Sequence, residues 1–489
     1  MGLILSPILI LVAIPLYLTR LGTSVLGKCC GSGLGRMVPT RSAMFASDEI
    51  YTQPLMTNVA RFVFDGTLEL RTIEKLIDQN WVQARSTSGN LKYPELKQYV
   101  TVWLGYFFWK NDEDFNIKNH VKLYFNQKPG NFISDMEVND AWNEMSMKPF
   151  DRDRSPWEVI LIPFYRQNRH KGDESSKSVL IFRWHHALSD GFSILNLLSC
   201  IADLNMSSVA RMGRKQNVSC CSGIGKSFKL FFTAPWVILT LITARKDRNP
   251  WHLEENKMTR YWHLGVGPSI PIQIVHELKT NYSVSFACVL LAAVTGSMRK
   301  LMVKGFEMNS LKPVPWTISC GVPFPLPDHP DKLRNHWAIC TVQLPVGEAN
   351  PVSRLQIIDR NLKEMKRSSK PIIAYMIAPW IGGLPACCIN ALVTNHITTV
   401  VSSIMPGPPE PLTNFLGHTA RDASYIIGCG PGRNGFSFSV LSYNGTVKFA
   451  LTVDSAFSPD EKIAQDLITF VEEELNFLRQ ICVQHVEDV

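Results

Sequence analysis

The chain has 489 residues, more than one hydrophobic core usually serves, so two lobes are expected. Apolar residues make up 45% and aromatics 10%, which implies a large apolar interior or a surface that faces lipid. The net charge of +8 is spread along the chain; no recognition module or long basic block is present, which excludes nucleic acid as a partner, whereas a phosphate-bearing ligand or an anionic membrane suits the sign.

In chain order, Leu3 to Leu18 is almost wholly apolar and is followed by Arg20, Lys28, Arg36 and Arg41. It lacks the charged start of a secretory signal. It reads as a membrane anchor over residues 1–27, or as a shallow interfacial helix, with the bulk of the protein facing the cytosol. A first lobe spans residues 48–206. Val59 to Phe64, Val121 to Phe125, Val159 to Tyr165 and Val179 to Trp184 read as strands, and Leu70 to Val82 has helical spacing. Arg169 to Ser178 is a polar turn, and Phe192 to Leu204 reads as a helix. Residues 207–260 form a linker, polar from Ser207 to Lys226 and apolar from Phe228 to Thr243, the apolar part interfacial.

A second lobe spans residues 261–485, its elements opening near Pro271. Ser285 to Val303 reads as a buried helix and Val352 to Met365 as an amphipathic one. Val314 to Ser319, Trp337 to Leu344 and Ile397 to Ile404 read as strands. Pro371 to Val393, broken by Pro379, Gly382-Gly383 and Pro385, suits two short helices that line a tunnel, dock on lipid or pair in the core. Phe436 to Leu441 and Thr446 to Val453 flank Asn444-Gly445, a hairpin signal, and Glu461 to Arg479 is a final helix. The 12 cysteines include three adjacent pairs, Cys29-Cys30, Cys220-Cys221 and Cys387-Cys388, and no C-x-x-C; the spacing fits a reduced, cytosol-facing chain, with S-acylation or simple burial as roles for the pairs.

The segment carrying most chemistry is His185-His186-Ala187-Leu188-Ser189-Asp190-Gly191, an HHxxxDG pattern between a strand and a helix. Such a junction holds side chains rigidly at a cleft. A neutral imidazole exchanges a proton near pH 7. Adjacent residues of a strand point to opposite sides, so one of the two histidines faces a given cleft. Asp190 can fix the turn or pair with an arginine, and Gly191 permits positive φ or close backbone approach. No G-x-S-x-G elbow is present, so general-base chemistry without a covalent enzyme intermediate is indicated. No second ligand cluster accompanies the histidines, so no metal is expected.

HHxxxDG resembles the signature of the CoA-dependent acyltransferase superfamily. Ser155-Pro156-Trp157-Glu158-Val159 is similar to the P-L-W element of the wax ester synthase/diacylglycerol acyltransferase family. Pro323, Asn335 and Leu344-Pro345 resemble that family's middle region, Ser403-Ile404-Met405-Pro406-Gly407-Pro408 its S-N-V-x-G-P element, and Ser442-Tyr443-Asn444-Gly445 with Asp454 its C-terminal stretch. The resemblance departs at two places. The family's Asn-Asp pair stands as Ala287-Cys288, and the Asn of S-N-V-x-G-P as Ile404.

The resemblance implies an α/β fold: a two-lobed, chloramphenicol-acetyltransferase-like pseudodimer with an interlobe tunnel, plus the N-terminal anchor. It implies a membrane-bound O-acyltransferase that joins a fatty acyl group from acyl-CoA to a long-chain alcohol or diacylglycerol, without a cofactor, at the endoplasmic reticulum or plasma membrane. His186 would be the general base. His185, Asp190 and Gly191 would support it, Asp190 paired to an arginine for which Arg183, Arg334 and Arg433 are candidates. Pro156, Trp157, Asn335, Ser403 and Gly407 would bind substrate. A catalytically weak lipid-binding relative, or an enzyme with another acceptor, are the alternatives.

Overall fold

A computed structural model of the chain describes residues 2–125, 131–166, 176–203, 240, 247–307, 313–394, 396–415 and 417–487. The expected turn at Arg169 to Ser178 and the apolar run from Phe228 to Thr243 lie largely outside the described residues, and the polar linker from Ser207 to Lys226 wholly so. In chain order the strands are β1 (Leu34–Met37), β2 (Thr57–Asp65), β3 (Gln98–Trp103), β4 (Tyr106–Asn111), β5 (Val121–Leu123), β6 (Trp157–Tyr165), β7 (Lys177–His185) and β8 (Trp262–Val266). They continue as β9 (Ile270–Pro271), β10 (Ile318–Pro325), β11 (Trp337–Leu344), β12 (Val400–Pro406), β13 (Leu412–Phe415), β14 (His418–Ile426), β15 (Phe436–Tyr443) and β16 (Thr446–Asp454).

The first lobe is built on a six-stranded sheet ordered β13-β14-β2-β7-β6-β5. Strands β2 and β7 are buried along almost their whole length, as strands covered on both faces must be. Their residues divide by parity. Val59, Val63, Val179 and Ile181 pack on the Asp135–Met147 helix, while Ala60, Phe62, Leu180 and Trp184 pack on the side of the Gly191–Leu198 helix. The sheet is completed from the far half of the chain: β14 pairs antiparallel with β2, Ile426 opposite Val59 and Ala420 opposite Phe64.

The second lobe is a seven-stranded sheet ordered β11-β10-β12-β15-β16-β8, with β9 also on β16. Strand β12 runs parallel to both β10 and β15. The β15–β16 hairpin turns at Asn444-Gly445, with φ of 48° and 70°, as a two-residue turn requires. Strand β10 starts at Ile318, later than its sequence run, because Pro313 and Pro315 lack the N–H a ladder needs. The Phe286–Glu307 helix is long and apolar enough to cross a membrane, yet 67% of its most apolar window is buried. It is a core helix, packed beside the Pro351–Arg367 and Lys462–Glu487 helices.

A three-stranded sheet, β1-β4-β3, is formed by segments on either side of β2 in sequence and receives the N-terminal helix. That helix, Gly2–Cys30, is 29 residues long and extends well past the apolar run. Pro371 to Val393 forms two helices, Lys370–Ile381 and Ala386–Val393, split at Gly382-Gly383. A Cβ on Gly382 would lie 1.7 Å from the Thr40 carbonyl, so glycine lets this bend sit directly on the short Thr40–Ala46 helix. The described cysteines are free thiols, with Cys29-Cys30 and Cys387-Cys388 exposed; Cys220-Cys221 lies outside the described residues.

Candidate active site

Strand β7 ends in the HHxxxDG turn, where the two histidines part company. His185 is fully buried: its Nδ1 accepts from the Ala187 N–H at 3.1 Å, so the proton sits on Nε2 and is donated to Asp48 Oδ2 at 3.0 Å. Asp48 also accepts from the Leu55 and Met56 N–H groups, which ties the chain before β2 to the turn. His186 is only partly buried and its Nδ1 lies 2.9 Å from Asn335 Oδ1.

Asn335 decides the tautomer. Its Nδ2 donates to the His186 carbonyl at 2.8 Å and to the Ser42 hydroxyl at 3.1 Å, so its Oδ1 must be the atom facing the ring. The imidazole proton is therefore on Nδ1, and the Nε2 lone pair is left free. Among the described residues Nε2 makes no hydrogen bond. Phe45 stacks on the ring at 4.4 Å between centroids, and Trp337 stands at 5.4 Å. Burial among these rings pushes the His186 pKa down to about 4, which keeps the ring neutral and proton-accepting at pH 7.

Asp190 caps the Gly191–Leu198 helix through the Ser193 N–H at 3.0 Å. None of the three arginines expected as its partner takes that place: Arg183 pairs with Glu158 at 2.6 Å, Arg334 with Glu95 at 2.9 Å, and the Asp190 carboxylate is bonded by Ser193, His329 and His336 and not by Arg433. A histidine takes the place instead. His329 Nε2 is 3.0 Å from Asp190 Oδ1, and its Nδ1 is 2.9 Å from the Pro330 carbonyl. Acceptors at both nitrogens require the doubly protonated ring. Burial alone would lower the His329 pKa; the Asp190 carboxylate outweighs it and raises the value above the ordinary one. Conversely, burial would raise Asp190, but His329 and the Ser193 and His336 N–H groups hold it below the usual carboxylate range. The cation the turn needs is thus supplied from the loop between β10 and β11, which also clasps Ser193 through the Lys332 and Arg334 carbonyls.

Gly191 has no positive φ; close approach explains it. A Cβ there would lie 1.9 Å from Met405 Cε, across the lobe boundary. At Gly407 a Cβ would meet the Ser442 carbonyl at 2.3 Å. Both glycines border a small apolar cavity, partly open to solvent, lined also by Trp184, Leu195, Met405 and Tyr425. Ser403 stands behind Tyr425, whose hydroxyl lies 2.7 Å from the Ser403 carbonyl and 2.8 Å from its Oγ.

Of the residues expected to bind substrate, the structure places Gly407 on the cavity, Ser403 behind its wall and Asn335 against the His186 ring. Pro156 and Trp157 are a correction. Trp157 is 0% exposed, stacks on His120 and donates to the Leu96 carbonyl at 3.0 Å, and the Pro156 carbonyl accepts from the His185 N–H. Both brace the strand end from inside the core and offer no surface to a ligand. Ser42, Phe45, Asp48, His329 and Trp337 surround the two histidines and Asp190 without any local sequence signal. Cys288 lies in the second lobe's core, its thiol donating to the Leu355 carbonyl and pushed up to about 12 by burial. Ile404 packs against the same core. Among the described residues no three His, Cys, Asp or Glu side chains converge as a metal would need.

Two family models match the chain: the wax ester synthase/diacylglycerol acyltransferase catalytic domain over residues 76–219, and the WS/DGAT C-terminal domain over residues 333–479. A Mycobacterium tuberculosis protein named provisionally as a diacylglycerol O-acyltransferase is 23% identical over 382 residues, 72% of this chain and 73% of its own length. An O-acyltransferase of Acinetobacter baylyi is 22% identical over 411 residues, 78% of this chain and 85% of its own. Among solved structures, the wax ester synthase/diacylglycerol acyltransferase of Marinobacter aquaeolei superposes with a TM-score of 0.59 at 18% identity, over 91% of this chain and 100% of that one. A trichothecene 15-O-acetyltransferase of Fusarium sporotrichioides gives 0.57 at 10% identity, over 89% and 94%. These likenesses establish the two-lobed fold, and the family models, which together span more than half of the chain, agree with it. This chain belongs to the wax ester synthase/diacylglycerol acyltransferase family of acyltransferase enzymes.

Proposed function

We propose that this protein is a membrane-associated O-acyltransferase that moves a fatty acyl group from acyl-CoA to a long-chain alcohol, to diacylglycerol, or to both. The observation that carries the reading is the Asn335 lock, which fixes the His186 proton on Nδ1 and leaves Nε2 as a neutral base. Nε2 takes the proton of the acceptor hydroxyl as its oxygen attacks the thioester carbonyl. The tetrahedral intermediate collapses, the C–S bond breaks, and the CoA thiolate leaves and takes the proton back from Nε2. The apolar cavity beside Gly191 supports a hydrocarbon chain lying next to the turn. Acyl-CoA is a substrate, and the reaction as proposed uses no resident cofactor. The N-terminal helix, apolar and free of acidic residues, supports association with the endoplasmic reticulum or plasma membrane, with the lobes on the cytosolic side.

The test is incubation of membranes carrying the protein with labelled palmitoyl-CoA and either hexadecanol or diacylglycerol. Labelled wax ester or triacylglycerol is expected, and His186→Ala should lower its rate by about 10²- to 10⁴-fold, the usual contribution of a general base. Product formed equally well by His186→Ala would remove the general-base role. No product from folded protein with either acceptor would favour a lipid-binding relative or another acceptor.

A further inference from the structure

Three chain segments that are far apart in sequence meet on one face, and none of them is built for water. The N-terminal helix is inside out. Leu11, Ile14, Leu18, Leu21 and Val25 follow helical spacing along one stripe and are all exposed, Leu18 by 62%. The opposite stripe holds the polar residues: Arg20 donates to the Val38 carbonyl at 2.9 Å, and Thr23 is buried. A helix beside water places its polar stripe outward.

The second segment is the β3–β4 turn. Leu104 and Gly105 have φ of 46° and 78°, a conformation that favours asparagine and glycine. A leucine there, 59% exposed, costs backbone strain and leaves its side chain without a core. The third is the Lys370–Ile381 helix, where Ile372, Met376 and Trp380 are exposed at every fourth position.

These segments touch. Tyr17 and Trp380 stand edge to face at 5.3 Å, Thr19 and Tyr106 hydroxyls lie 2.9 Å apart, and Ala386, at the start of the helix that follows the third segment, donates its N–H to the Gly105 carbonyl at 2.7 Å. The charge pattern selects what covers them. The chain has 42 acidic residues, yet none falls between Met1 and Ser47, between Gln98 and Lys110, or between Met365 and Pro409. Exposed cations outnumber carboxylates at the margins: Lys28 near the end of the first helix, and Lys363, Lys366, Arg367 and Lys370 against the single exposed Glu364 where the third segment begins. Apolar stripes free of carboxylates, with basic margins and aromatic rings at the join, match an anionic bilayer surface.

The face is also close to the base. The Lys370–Ile381 helix and its Gly382 bend rest on the Thr40–Ala46 helix, which presents Ser42 to Asn335 and Phe45 to the His186 ring. We propose that this face docks on an anionic lipid bilayer and that the acceptor alcohol reaches His186 from it; the second half of that statement rests on the acyltransfer reading above.

The test uses the full chain and a triple variant, Leu104→Asn, Ile372→Gln and Met376→Gln. Asparagine suits the backbone at residue 104, and glutamine keeps helix propensity at two exposed positions, so the fold is preserved. Flotation is measured with vesicles of phosphatidylcholine, with and without phosphatidylserine. The parent is expected to float, better with phosphatidylserine, and the variant to lose about tenfold or more in vesicle partition. The variant's KM for hexadecanol dissolved in vesicles should rise by a similar factor, while kcat and KM for the water-soluble butanol stay unchanged. Equal flotation of parent and variant would overturn the docking face. So would a parent dimer that the substitutions turn into a monomer with flotation unaltered, which would assign the face to a second copy. No acyl transfer by the parent to any alcohol, with flotation still lost in the variant, would overturn the reaction and leave the docking face standing.

Discussion

Two residues that do not belong to the HHxxxDG motif bond to its side chains, Asn335 to His186 and His329 to Asp190. Asn335 orients His186, and two substitutions separate its roles. Asn335→Ala leaves the tautomer unfixed and is expected to lower kcat about ten- to a hundredfold with little change in KM. Asn335→Asp puts a carboxylate beside the ring and should move the acid limb of the kcat–pH profile upward. In the parent that limb should fall near pH 4, because burial holds His186 there, whereas an ordinary imidazole titrates at about 6.5. Between those two values unfolding takes up a proton at His186, so the fold loses stability as the pH is lowered through that window. His329 has the opposite sign. Its folded value is raised, so its contribution is complete below about 6.5 and is lost as the pH rises through the folded value. His329→Gln should therefore cost about 1–3 kcal/mol in urea unfolding under mildly acid conditions, with the gap to the parent narrowing at alkaline pH. The histidine pair, Asp190 and Gly191 were legible in the sequence because seven consecutive residues carry them. Their pairings were not: Asn335 was read from the resemblance as a substrate-binding residue and His329 carried no signal, for Asn335 is 149 residues from His186 and His329 is 139 from Asp190, and no local period encodes contacts so distant.

Between elements, the start of the Gly191–Leu198 helix and the end of β12 meet without room for a methyl group. The two glycines differ in what a Cβ would strike. At Gly191 it is the tip of the Met405 side chain, which can move; at Gly407 it is the Ser442 backbone carbonyl, which cannot. Gly407→Ala is expected to cost about 1–3 kcal/mol or more, and Gly191→Ala less. Adding Met405→Ala should relieve the Gly191→Ala strain and leave Gly407→Ala unchanged, as thermal unfolding of the four variants would read. Element type followed closely from hydrophobic period: β11 has the bounds read from the sequence, and β2, β7, β15 and β16 match within a few residues. The helix read from Phe192 to Leu204 ends at Leu198, because apolar spacing extends past the point where the chain turns toward β13. The N-terminal helix outran its apolar segment because polar Arg20 and Thr23 face the protein and so do not end it.

At the scale of the molecule, the alternation of strands and helices indicated two α/β lobes, but not that the second lobe lends β13 and β14 to the first. Pairing between Val59 and Ile426 depends on a return of the chain that no composition shift marks. Unfolding by urea is therefore expected as one transition, with tryptophan fluorescence and far-ultraviolet circular dichroism coinciding. Residues 48–206 expressed alone should not form a stable domain, since β2 would then expose a long apolar edge. Two separated transitions would show that the lobes fold independently. The same crossing constrains descent. A recombination event at the chain's midpoint would set β2 against a relative's β14, so lobes traded within this topology have to match each other along the Val59–Ile426 pairing. A change on either strand of that seam is felt by both lobes at once.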